Sequence, residues 1–225
     1  MLGYCFHLFL SDSTLTKYKK ATMPELAQTF RSASPNLQDG KRFARYLDQA
    51  AEGFFGFMLG GRSEEIIAEA YQQPGHDLSY QHVTFVENNQ KIVGMVSGYT
   101  AEQHQQSPDR PLRQAAGKYN LRFAIVSILC APLMRILETI AAGDFYLQAI
   151  AIDQERRGKG LGSTLMDLAE DRAHSSGSQR LSLDVSADNV IARKLYERRG
   201  MTIESQWPRR FAIPKLKFYR MVKVI

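Results

Sequence analysis

Residues 144–177 read DFYLQAIAIDQERRGKGLGSTLMDLAEDRAHSSG, and this stretch constrains the fold of the chain more than any other. The apolar run between Gly143 and Asp153 has the length and bounds of a buried strand. Leu161, Leu165, Leu168 and Ala169 then recur at helical spacing, and Gly177 closes the helix. Gly158, Gly160 and Gly162 lie between the two elements. Glycine loses more backbone freedom on ordering than any other residue, so such a loop is kept for a reason. A helix N-terminus offers free N–H groups and a partial positive charge, and glycines let the backbone approach a ligand. Arg156, Arg157 and Lys159 add positive charge. The physical inference is a pyrophosphate-binding turn.

Two familiar designs fit poorly. A P-loop requires Ser or Thr after its lysine, whereas Gly160 follows Lys159. A dinucleotide fingerprint requires GxGxxG, and here the third glycine arrives one residue early. Asp184 stands at roughly the distance of the acid that grips a ribose in that design. No further strand–helix units follow it to extend a doubly wound sheet.

The rest of the chain is read around this core. Residues 24–30, with Pro24 in a first-turn position, are expected to be helical, as are 39–59 and 63–75, the last capped by Ser63 and stopped at Pro74-Gly75. Residues 80–87 and 91–100 form a hairpin turning at Asn88-Asn89. Residues 101–118 are polar and proline-containing, which predicts a loop, and 119–143 are apolar with an interruption at Pro132, two helices or a kinked one. After the glycine loop and its helix come a strand at 180–187, a short helix ending at Gly200, and strands at 201–207 and 218–225 joined by a basic loop.

Composition excludes several classes. The chain has 225 residues and a net charge of +6, with a pI near 9.3, but no dense basic tract with interleaved aromatics that would select nucleic acid. Cys5 and Cys130 belong to no disulfide or zinc pattern, and His76 and His82 are spaced as loop histidines rather than metal ligands. No apolar run reaches membrane-spanning length, and YCFHLFL lacks the flanks of a signal peptide. A cytoplasmic protein without metal is the expectation. Met23 offers an alternative start, which would make residues 1–22 an extension preceding one domain over 23–225.

Arg157, Gly160 and Gly162 form an Arg-x-x-Gly-x-Gly pattern at a strand-to-helix junction. Downstream, Asn189, Ala192, Leu195, Tyr196 and Gly200 are spaced as Asn-x-x-Ala-x-x-Leu-Tyr-x-x-x-Gly. Together these resemble motifs A and B of the GCN5-related N-acetyltransferases, the GNAT family. The resemblance covers residues 83–98 and 144–225, is weak before 80, and is absent over 99–143, which reads as an insertion. Gln154 stands where the family usually has proline.

The resemblance implies an α/β GNAT fold: a mixed sheet flanked by helices and splayed where acetyl-CoA lies. It implies transfer of acetyl to a primary amine in a ternary complex, without metal or covalent enzyme intermediate, and it leaves room for a homodimer. The Ile150 N–H would polarise the thioester carbonyl. Ala151 and the main-chain groups of Ile152 would hold the pantetheine arm. Arg157, Gly158, Lys159, Gly160, Leu161 and Gly162 would supply the pyrophosphate donors. Asn189 would touch the arm or cap its helix, and Tyr196 would protonate the departing thiolate. Glu87, Glu138 and Asp144 are candidate bases, none distinguished from a surface charge. The acceptor, a small molecule or a peptide, is not readable, and the basic residues Arg209, Arg210, Lys215 and Lys217 read as a solvated loop. A CoA-binding sensor without turnover is the alternative, and a dehydrogenase domain a second one that NAD(H) binding would reveal.

Overall fold

The computed structural model describes residues 28–117, 121–129, 139–208 and 217–225. The elements run β1 Gln28–Ser32, α1 Leu37–Ala50, α2 Phe54–Leu59, α3 Ser63–Tyr71, β2 Val83–Asn88 and β3 Lys91–Thr100. They continue with α4 Ala101–Gln105, α5 Arg110–Ala116, α6 Leu121–Leu129, β4 Asp144–Ile152, α7 Leu161–Ser175, β5 Arg180–Ser186, α8 Val190–Arg198, β6 Thr202–Trp207 and β7 Phe218–Val224. The strands form one open seven-stranded sheet in the order β1-β2-β3-β4-β5-β7-β6. Neighbours are antiparallel except β4 and β5, which are parallel across the helical crossover α7.

Each face of the sheet is covered by one apolar layer. On the first face Phe43, Tyr46 and Leu47 of α1 and Ile67 and Tyr71 of α3 pack with Phe85, Met95, Ala149 and Ala151. On the second, Leu165, Leu168 and Ala169 of α7 pack with Val86, Val96, Leu147, Leu181, Leu183 and Met221. The strand–loop–helix stripe thus forms as its periodicity predicts.

Several local expectations are corrected. Residues 24–27 lie outside the described residues, but Gln28–Phe30 are strand, not helix, because β1 completes the ladder of β2 with Thr29 opposite Glu87. The expected helix 39–59 is two helices, broken where Glu52 and Gly53 take φ of 53° and 85°. Ser63 does not cap α3: Arg62 holds that position and makes no side-chain cap. The hairpin turns at Asn89-Gln90, one residue later than expected, with φ of 49° and 62°. Residues 101–116 are largely helical rather than loop. Thr100 and Gln103 form a capping box for α4, and Pro111 opens α5, whose Leu112, Ala115 and Ala116 join the first apolar layer. Pro132 lies outside the described residues.

His82, just before β2, is 6 % exposed, and burial lowers its pKa to about 4, with Arg172 adding to the shift. The folded value lies below the unfolded value of about 6.5, so this contribution to stability is whole above pH 6.5 and is lost as pH falls towards 4. Urea midpoints should therefore drop between pH 7 and pH 4, and drop less in His82→Gln. Equal slopes would show that His82 is not responsible.

Candidate functional site

β4 and β5 share only three residue pairs, Asp144 with Arg180, Phe145 with Leu181 and Tyr146 with Ser182. Beyond Tyr146 the strands part, although β4 runs on to Ile152 and β5 to Ser186. Register decides which main-chain groups face the gap. Ile152 lies opposite Gly94, and the next residue, Asp153, donates its N–H to Val93 O at 2.9 Å. Hydrogen-bonded pairs alternate in an antiparallel ladder, so Ala151 and Ala149 exchange bonds with Met95 and Ser97, whereas Ile150 and Ile152 turn theirs towards β5. The Ile152 carbonyl accordingly accepts from Gln49 Nε2 at 3.2 Å and Arg157 Nε at 3.4 Å. Ala151 therefore presents no main-chain group to the gap, unlike Ile150 and Ile152.

At the apex β4 carries an extra residue. Ser97 pairs with Ala149 and Gly98 with Leu147, so Gln148 bulges from the ladder. Gly98 lets β3 approach here: a Cβ would lie 2.6 Å from Phe145 Cε1 and 2.7 Å from the Tyr146 carbonyl. Arg172 secures the other side of the bulge, donating to His82 O at 2.9 Å and Gly98 O at 3.2 Å.

The glycine loop sits at the open end of the gap. Gly158 and Gly160 have φ of 75° and 83°, which glycine alone adopts freely. Gly162 has an ordinary φ, but a Cβ there would stand 3.3 Å from Leu195 Cδ2, so its small size lets α7 approach α8. Gly160 is the N-cap of α7 and no side chain caps that helix. No acceptor among the described residues takes the N–H groups of Lys159 to Gly162. Leu161 contributes only its main chain, since its side chain is buried at 3 % exposure. Arg157 and Lys159 are exposed beside this turn. The fit to a pyrophosphate is direct: unpaired N–H donors, a helix dipole and flanking cations, next to a strand edge able to pair with an extended amide chain.

Tyr196 lies on α8, half-buried in the layer that holds Ile150, Ile152 and Leu195. Burial pushes its phenol up to about 12, so it carries its proton at neutral pH, and its hydroxyl has no hydrogen-bond partner among the described residues. Asn189 is a helix cap: its side chain accepts from Ala192 N at 3.1 Å.

The candidate bases fare worse. Glu87 accepts from Arg31 at 2.7 Å, and Arg31 also grips Asp39. Asp144 is 1 % exposed and held by Arg180 at 2.7 and 3.0 Å. Glu138, like Arg209, Arg210 and Lys215, lies outside the described residues. Lys217 stacks on the Tyr219 ring at 4.9 Å. Asp144 is a structural ion pair: removing Arg180 should leave a buried charge and cost about 3–5 kcal/mol, read as a lower urea midpoint in Arg180→Ala. An unchanged midpoint would return Asp144 to the bases.

Asp184, which mimics a ribose acid in the sequence, instead accepts from Arg220 at 2.7 Å through both oxygens and from the Tyr146 hydroxyl at 3.0 Å. Tyr146 packs with Tyr99, Ala101 and Ile140. This polar face and Gln148 escaped sequence reasoning. The one available signal was a glutamine interrupting an apolar strand. Among the described residues no cluster of three or more potential ligands could hold a metal, and no helix is long and apolar enough to cross a membrane.

The family model for the Acetyltransferase (GNAT) family matches residues 43–201. Among solved structures, one acetyltransferase aligns with a TM-score of 0.62 at 27 % identity, over 87 % of this chain and 98 % of its own. An N-acetyltransferase from Staphylococcus aureus Mu50 aligns with a TM-score of 0.59 at 18 % identity, over 87 % and 100 %. No curated protein matches the chain in sequence. The family match spans most of the chain, including the parted strands, the glycine loop and Tyr196, and the chain belongs to the GNAT acetyltransferase family.

Proposed function

We propose that the protein is an acetyl-CoA-dependent N-acetyltransferase that moves acetyl directly to a primary amine in a ternary complex. The observation carrying this reading is the loss of β4–β5 pairing after Tyr146, next to an uncapped helix N-terminus. The first offers main-chain groups to a pantetheine arm and the second offers donors to its pyrophosphate. Acetyl-CoA supplies the activated acyl group.

The residues divide the work. Lys159 to Gly162 hold the pyrophosphate through main-chain N–H groups, with Arg157 and Lys159 adding charge. Ile152 pairs with the arm, once Gln49 or Arg157 yields its carbonyl, and Ile150 N–H polarises the thioester. The amine forms its C–N bond as the C–S bond breaks, the surplus proton on nitrogen leaves to water, and Tyr196 gives its proton to the thiolate. In this reading residues 23–225 act as one domain, and the insertion 99–143 contributes to the acceptor side.

The test is an acetyl-transfer assay across a panel of amines with free-thiol readout. Thiol release dependent on an amine is expected. Acetyl-CoA binding with no release from any amine would make the protein a CoA-binding module instead.

A further inference from the structure

We infer that Gln148 is a specificity-determining residue that holds the acceptor, selecting amines with a carbonyl beside the amine-bearing carbon, such as α-amino amides. The inference rests on the acetyl-transfer reading above. Gln148 is the bulged residue of β4, two positions past the last β4–β5 pair, and so stands at the apex of the gap. It is half-buried between Leu147 and Ala149, which are 3 % and 4 % exposed. With the arm along Ile150 and Ile152, the reacting carbonyl lies next to it.

The side chain is fixed and only partly satisfied. Its Oε1 accepts from Ser97 Oγ at 2.7 Å. A carboxamide has two donor hydrogens and two acceptor lone pairs. Both donors and one acceptor therefore remain. The acceptor position suits an amine N–H and the donor position suits a neighbouring carbonyl. Surrounding charge argues against a polycation. On this face Asp184 is already neutralised by Arg220, with side chains 7 % and 9 % exposed. Asp77 is held by His104 at 2.7 Å. A site built to bond a polar group discriminates strongly against analogues that lack it.

The experiment compares glycinamide, isobutylamine and spermidine at equal free-base concentration, by thiol release, in wild type and in Gln148→Ala. Wild type should favour glycinamide over isobutylamine by about tenfold in kcat/KM, the effect of one to two hydrogen bonds. In Gln148→Ala the ratio should fall to near one, chiefly through acceptor KM, with the Kd for acetyl-CoA unchanged. Gln148→Glu, matched in size, should turn the preference towards spermidine and guards against a misfolded alanine variant. An active wild type that shows no preference, or prefers spermidine, overturns the inference alone, as does a preference that survives in both variants. A wild type that releases no thiol with any amine sinks the acetyl-transfer reading as well.

Discussion

Tyr196→Phe should lower kcat by about a hundredfold, within the range for loss of a general acid, while the Kd for acetyl-CoA stays the same. The substitution removes one oxygen from a half-buried ring whose hydroxyl makes no hydrogen bond among the described residues, so packing in the layer of Ile150 and Leu195 is kept. The hydroxyl has its pKa raised to about 12 because burial disfavours the phenolate. The sign suits an acid: the proton is present throughout the neutral range and would be lost only near pH 12. The kcat profile of wild type should therefore rise with amine deprotonation and show no alkaline fall below pH 10. Turnover of Tyr196→Phe equal to wild type would remove Tyr196 from the chemistry and leave water as the proton source.

Gly160→Asp should weaken acetyl-CoA binding by about a hundredfold and barely change stability. Asp is among the best N-cap residues and tolerates left-handed backbone, so at φ 83° strain and capping roughly offset. Its carboxylate would bond the same α7 N–H groups that a pyrophosphate needs and would repel the phosphates. Calorimetric titration measures the first effect and thermal unfolding the second. Retained affinity would move the pyrophosphate away from this helix terminus.

The sequence by itself determined the centre of the molecule. Asp144–Ser175 could be read because strand, glycine loop and helix each leave a local signature: an apolar run bounded by Gly143 and Asp153, three alternating glycines, and leucines at helical spacing. Tyr196 stood out only through the resemblance of Asn189, Ala192, Leu195, Tyr196 and Gly200 to the family's motif B. Local signals also misled. Polar composition hid α4, which Thr100 and Gln103 cap, and α5, which Pro111 opens and whose Leu112, Ala115 and Ala116 join the layer of α1 and α3. Gln28–Phe30 became a strand because β2 lacked a partner, a condition no local window contains. Only the tertiary structure decided the fate of the charges and the register of the gap. Glu87, Asp144 and Asp184 look alike along the chain. Folding brings Arg31, Arg180 and Arg220 to them from distant segments, and ion pairing turns three carboxylates into structure. It likewise separates Ile150 and Ile152 from Ala151, because which main-chain groups face the opening depends on which residue of β3 lies opposite, and that pairing is set by long-range contacts.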